Sequence, residues 1–316
     1  MSVTGSNKPS IIAFGSVNID VSARVNHFPV PGETLHAHDA GLGLGGKGAN
    51  QAVAAARLGA DVRLVGRTGD DPLADFAADS LRRHGVGAEN LYRSAGDLTG
   101  LAMICTDSGG ENTIVVVGGA NMAIDGTDIA RLVPLLTPGT IVLMQCEIPL
   151  DALRAAAQAV MQAGARLILD PAPVPRDGLP PDLFPLAELM TPNETETERL
   201  TDLRPHDAES ARHAADRLHR LGLRRAIVKL GARGVLYSDE YGHGFVPPFT
   251  VDAVDSTAAG DCFNGGLAVA LSSGMDLAGA TRYAAACGAL ATTRRGASDA
   301  APTRPEVERL LTAQPA

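Results

Sequence analysis

No CxxC pair, no HExxH pair and no apolar run of the roughly 18 residues that a membrane span requires occur in this 316-residue chain. Its four cysteines, Cys105, Cys146, Cys262 and Cys287, stand far apart. A chain of this length needs no disulfide staples, so they read as reduced core or near-core thiols of a cytoplasmic protein. Without HExxH, a zinc hydrolase has no support. Residues 1–9 are polar and lack the apolar centre of a signal peptide. Excess positive charge is missing too: 27 basic against 36 acidic side chains leave a formal charge of −9. Such a field repels phosphate backbones, which argues against nucleic acid and membrane surfaces as partners. It leaves room for one anionic ligand gripped by local backbone N–H groups.

What is present is apolar material, 45% of the chain, enough for a large core. Short β-branched runs alternate with longer Ala/Leu/Arg-rich stretches. The pattern predicts strands over 11–17, 62–66, 141–145, 166–170, 186–191 and 226–230, and helices over 50–58, 72–84, 151–163, 194–201 and 208–221. Helix after strand after helix implies right-handed βαβ units. These build a three-layer α/β/α domain with a mostly parallel sheet, whose ligands gather outside the carboxyl ends of the strands. A polar tail is expected over 1–10, a single domain over 11–310, and a frayed end over 311–316. Two segments break the rhythm, 34–43 and 100–118. The second reads as a hairpin of 101–106 and 112–117 about a turn at 107–111. Together they form a small antiparallel sheet: a lid over a cleft, a dimer contact, or an extra sheet edge.

GLGLGG at 41–46 fits GxGxxG, but a dinucleotide fingerprint follows a buried apolar strand. The residues before it, His36-Ala37-His38-Asp39-Ala40, are not one. Gly41 to Lys47 also fits GxxxxGK, yet Gly48 stands where a P-loop needs a hydroxyl to hold Mg²⁺. What remains is GGKGAN at 45–50 opening an Ala-rich helix. Its small residues let a ligand approach backbone N–H groups, and Asn50 offers a donor and an acceptor to a sugar hydroxyl. Asn50 as a plain helix cap fits equally well.

In DSTAAGD at 255–261, the small residues Ala258, Ala259 and Gly260 precede a helix starting near Asp261. Their unmasked N–H groups suit a developing phosphoryl anion, and Asp261 is placed to take a hydroxyl proton. The plainer alternative is that Asp261 is only an N-cap or first-turn acid.

GSVNID at 15–20, GGKGANQA at 45–52, TPNETE at 191–196, KLGARGV at 229–235 and DSTAAGD at 255–261 follow one another in this order. Together they resemble the signatures of the ribokinase-like (PfkB) carbohydrate kinases over residues 11–310. GGKGANQA and TPNETE are most similar to the branch that phosphorylates D-ribose. The resemblance implies a kinase using ATP, with a β-sheet lid from strands within 18–43 and 98–118 that pairs in a homodimer. It implies sugar contacts at Asn18, Asp20, Gly46, Lys47, Asn50 and Glu147. Asn193 and Glu196 would serve the phosphates and Mg²⁺, although Asn193-x-x-Glu196 is also a capping box. Lys229, Gly231 and Gly234, with Gly260, would line the nucleotide, unless the 229–234 segment is only a tight turn.

The resemblance further implies a potassium site from Asp255, Thr257, Ala291, Arg294, Gly296 and position 300. The family carries Ser where this chain has Ala300, which weakens the site unless Ser298 stands in. The implied reaction has Asp261 deprotonate the primary hydroxyl, which attacks the γ-phosphate, while the 258–261 N–H groups and Mg²⁺ stabilise the charge. A sugar-binding protein without catalysis would need a damaged base or anion hole; here Gly260 and Asp261 are intact. Other acceptors within the class are 2-deoxyribose, fructose, a nucleoside, or a ketodeoxy sugar acid that Lys47 or Arg24 could pair with.

Overall fold

The apolar runs of the chain become strands buried on both faces. A computed structural model describes residues 10–315; residues 1–9, where most of the expected polar tail falls, and residue 316 lie outside the described residues. The first half runs β1 (Ser10–Phe14), β2 (Asn18–Arg24), β3 (Asp39–Gly45), α1 (Lys47–Arg57), β4 (Asp61–Gly69), α2 (Pro72–Arg83), β5 (Leu91–Ser94), β6 (Gly100–Thr106), β7 (Asn112–Val117) and α3 (Gly126–Leu132). It continues with β8 (Ile141–Gln145), α4 (Leu150–Gln162), β9 (Arg166–Asp170), α5 (Leu183–Leu186), β10 (Leu189–Met190), α6 (Glu194–Thr201) and α7 (Ala208–Arg220). The remainder is β11 (Arg225–Lys229), β12 (Val235–Asp239), β13 (Gly242–Val246), α8 (Ala259–Ser272), α9 (Leu277–Ala291) and α10 (Arg304–Ala313).

Nine strands form one sheet in the order β13-β12-β11-β10-β9-β8-β1-β4-β5. From β5 to β11 neighbours are parallel; β12 and β13 extend the edge as an antiparallel hairpin. Alternate residues of each central strand face opposite layers, as the two-residue period of a strand demands. Ile11, Ala13, Ile141 and Leu143 enter the core shared with α1, α8 and α9. Ile12, Phe14, Val142 and Met144 enter the core shared with α4 and α7. This is the expected three-layer arrangement with a parallel centre.

The expected strand over 186–191 shrinks to Leu189–Met190, and Leu186 belongs instead to the helical turn 183–186. Ser10, assigned to the tail, is the first residue of β1, and residues 311–313, expected to fray, complete α10.

The second sheet has the order β3-β2-β6-β7. Both outer pairs are antiparallel, but the central β2–β6 pair is parallel, which corrects the expectation of a wholly antiparallel sheet. The physical reason is the connection: α1, β4, α2 and β5 lie between β3 and β6, a crossover long enough for parallel pairing. The chain enters this sheet directly from β1 and leaves it directly into α1. The two passages touch at Gly46, whose φ is +85° and where a Cβ would lie 2.7 Å from the Asn18 nitrogen. Only glycine meets both conditions. That seam fixes β2 and the start of α1 at the carboxyl end of β1, where α/β sheets bind ligands.

Candidate active site

Asp261 stands in the first turn of α8 with almost no exposed surface, 4%. Each carboxylate oxygen accepts one amide: Asn50 Nδ2 donates to Oδ2 at 3.0 Å, and Gln51 Nε2 donates to Oδ1 at 3.1 Å. Burial raises the Asp261 carboxyl; Lys47 opposes that, Asp170 adds to it, and the two amides pull it down. Helix α8 begins without a side-chain cap at Ala258, a non-glycine residue in the left-handed region with φ 56°. Among the described residues the N–H groups of Ala258, Gly260 and Asp261 have no acceptor, whereas Ala259 donates to the Ser256 carbonyl at 3.3 Å. The expectation that all four N–H groups at 258–261 are open is therefore corrected to three.

Around Asp261 lies an acidic group with two lysines. The Asp20 carboxylate on β2 accepts no hydrogen bond from the described residues. Its carboxyl is pushed up to about 7 by burial and by Glu147 and Asp261. Gly45, across the strand pair, leaves the room it occupies: a Cβ there would fall 2.0 Å from Asp20 Oδ1. Glu147, just past β8, accepts from Ser16 Oγ at 2.5 Å and from the Lys47 N–H at 3.1 Å. Burial pulls the Lys47 ammonium down, but Asp261, Asp170, Glu147 and Glu196 more than reverse that, so it stays charged. Asn18 is buried, and its Oδ1 accepts from Asn121 Nδ2 at 2.8 Å. Beyond this group, a cavity of about 550 Å³ opens between the small sheet and the 253–257 and 295–299 loops, with Asp20 in its wall.

Asn193 and Glu196 form the capping box of α6. The Asn193 N–H donates to Glu196 Oε2 at 2.8 Å, and the Glu196 N–H donates to Asn193 Oδ1 at 2.9 Å. Burial raises the Glu196 carboxyl, with Lys229 opposing and Asp170 adding. Lys229, at the end of β11, donates from its N–H to the Pro192 carbonyl, which brings it beside Asn193. Its Nζ lies 3.3 Å from Asp170 Oδ1 and would be 3.5 Å from a Cβ on Gly260. Gly231 and Gly234 follow in a short 3₁₀ turn, both with positive φ. An acidic, partly buried group beside this turn is suited to a divalent cation carried with phosphates.

Asp255 Oδ1 accepts from the Thr257 N–H at 2.9 Å and Oδ2 from the Gly296 N–H at 3.2 Å. Burial works against its charge, but the bonds from Thr257 and Gly296 hold its carboxyl below the usual range. The structure thus joins Asp255, Thr257 and Gly296, while the N–H groups of Val254 and Asp255 donate to the Thr292 carbonyl, one residue past Ala291. Arg294 is held by Glu306 of α10. Ala300 is buried, and nearby Ser298 Oγ donates to Asn50 Oδ1 at 2.8 Å. A carboxylate whose charged form is favoured, in a loop rich in main-chain groups, suits a monovalent cation. Among the described residues no cluster of three or more His, Cys, Asp or Glu side chains could hold a metal by itself, and no helix is long and apolar enough to cross a membrane.

Sequence reasoning missed Gln51, Gln145 and Asp170, and it did not foresee the bond from Ser298 to Asn50. Asp170 alone carried a signal: it ends an apolar parallel strand, the same position that marks Glu147.

The chain matches the family model for pfkB family carbohydrate kinases over residues 8–304. It is 36% identical over 304 residues to a ribokinase of Haemophilus influenzae, covering 96% of this chain and 99% of that protein. It is 32% identical over 293 residues to a deoxyribokinase of Salmonella typhi, covering 93% and 95%. The structure of Arabidopsis thaliana ribokinase complexed with ribose and ATP superposes with a TM-score of 0.87 at 33% identity, covering 96% of this chain and 99% of that one.

Proposed function

This chain belongs to the pfkB family of carbohydrate kinases, and on that premise we propose that it transfers the γ-phosphoryl group of ATP to the primary 5-hydroxyl of D-ribose. One observation carries the proposal: a buried carboxylate, Asp261, aligned by two amides beside three unclaimed helix N–H groups. The sugar lies against Asp20, Asn50, Lys47 and Glu147, with Asn18 and Gly46 at the seam. Asp20, with no protein donor, accepts from adjacent hydroxyls. Asp261 takes the proton of the primary hydroxyl. A bond forms from that oxygen to the γ-phosphorus as the bond to the β-phosphate oxygen breaks, and ADP leaves. The N–H groups of Ala258, Gly260 and Asp261 stabilise the transferring group.

The nucleotide lies along Asn193, Lys229, Gly231, Gly234 and Gly260. Glu196, with the phosphates, would hold Mg²⁺, which would supply charge neutralisation. Asp255 and Thr257 would hold potassium, which would fix the loop that leads into α8. The small sheet closes over the sugar and excludes water. Its edge strand β7 exposes Ile114, Val115, Val116 and Val117, which favours pairing with a second copy. Free thiols and the need for ATP fit a cytoplasmic enzyme.

The relative named deoxyribokinase keeps 2-deoxyribose as the second reading of the acceptor. An ATP-coupled assay over a panel of sugars and nucleosides, with and without potassium, decides between them. Asp261→Asn should keep nucleotide binding and lose about 10²–10⁴ in turnover, the contribution of a positioned base. Near-normal turnover in that variant refutes the assignment.

A further inference from the structure

Gln51 lies between two carboxylates that can only accept. Its Nε2 donates to Asp261 Oδ1 and to Asp170 Oδ2, both at 3.1 Å. Those acceptors dictate which way the amide faces, so its Oε1 is turned away, onto Gln145 Nε2 at 2.7 Å. Gln145 is locked in turn against Gly15, where a Cβ would lie 2.0 Å from Gln145 Oε1. On the far side, Asp170 Oδ1 meets Lys229 Nζ. Gln51 has no exposed surface at all, so it touches neither sugar nor nucleotide. A buried amide whose every polar atom is committed fixes the orientation of whatever it holds.

We propose that Gln51 is a positioning residue: it holds the Asp261 carboxylate in the orientation that receives the sugar proton and ties it, through Asp170 and Lys229, to the strand carrying the nucleotide loop. The proposal rests on the reading of Asp261 as the base. The charged groups facing Asp261 are Lys47 from α1, Asp170 from the end of β9 and Asp20 from β2. Glu147 faces Asp20 and Lys47, and Lys229 reaches the base through Asp170. Within this set the Gln51 bond lowers the base's proton affinity and the Asp170 charge raises it.

The test compares wild type, Gln51→Leu, Asp170→Asn and Asp261→Asn by steady-state kinetics across acid and neutral pH. Gln51→Leu is expected to lose about 10- to 100-fold in kcat, a fraction of a base's worth, with the ATP KM nearly unchanged. Its acid limb should move to higher pH. Asp170→Asn drops the charge and leaves one oxygen for Gln51 or Lys229, not both, so its acid limb should move to lower pH. Opposite displacements are not produced by a merely structural defect.

A Gln51→Leu enzyme with wild-type kcat and profile, or limbs moving in the same direction, overturns the proposal while Asp261→Asn remains inactive. Should Gln51→Leu fail to fold, Asp170→Asn decides alone: an acid limb that stays put or rises overturns it. Active Asp261→Asn removes the base assignment, and the positioning role with it.

Discussion

Replacing Asp20 by Asn should stabilise the free protein while abolishing tight sugar binding. The carboxyl stands about 7 against an ordinary 3.8 because it is buried beside Glu147 and Asp261 with no donor to compensate. The sign follows from when each state ionises. Below about pH 4 folded and unfolded chains both carry the proton and nothing is lost. As pH rises, the unfolded chain ionises first, so stability falls until the folded carboxyl also ionises near 7. A rise from 3.8 to about 7 corresponds to about 4 kcal/mol at 1.36 kcal/mol per unit of pKa. The side chain is partly exposed, so water screening reduces this to about 2 kcal/mol. The amide of the Asp20→Asn variant carries no charge and escapes the penalty. At roughly 2 °C or more per kcal/mol, the variant's Tm should exceed wild type by about 4 °C near pH 8 and match it near pH 4. Thermal melts at both pH values measure this, and calorimetric titration with ribose measures the lost affinity. Each charge-assisted hydrogen bond removed should cost about 1.5–3 kcal/mol. An Asp20→Asn protein no more stable than wild type near pH 8, or equally stabilised at both pH values, refutes the reasoning.

Gly260→Ala should leave the melting temperature unchanged, since the new methyl meets only Lys229 Nζ at 3.5 Å, yet lower kcat by at least about tenfold by crowding the transferring phosphoryl group. Melting curves and coupled-assay kinetics check both halves. Ser298→Ala strands Asn50 Oδ1 in a buried site at a cost of about 1–3 kcal/mol, so the sugar KM should rise about tenfold and Ser298→Thr should restore it. Ala300→Ser should increase apparent potassium affinity, read as activity against KCl concentration.

The parallel sheet was legible because its strands are buried on both faces and therefore read as continuous apolar runs, as in 141–145. Helix α8 was legible only at its start near Asp261, because it is buried almost all round and no polar stripe gives it a helical period. Asp20, Lys47, Asn50, Glu147 and Asp261 lie near one another in the fold. The residues that align them stayed hidden, because Gln51, Asp170 and Ser298 meet their partners only after segments 119 to 248 positions apart come together. Side chains that act through another side chain leave no local pattern. Glu196 illustrates the opposite limit: its spacing from Asn193 serves a helix cap and an ion equally well, and the cap is what the fold displays.

The bond from Asn50 to Asp261 joins positions 211 residues apart. A ribosome therefore releases the amides of Asn50 and Gln51 long before it makes the acid they bond. Until the segment around Asp261 has been made and has docked, a nascent chain lacks the carboxylate on which the proposed transfer depends.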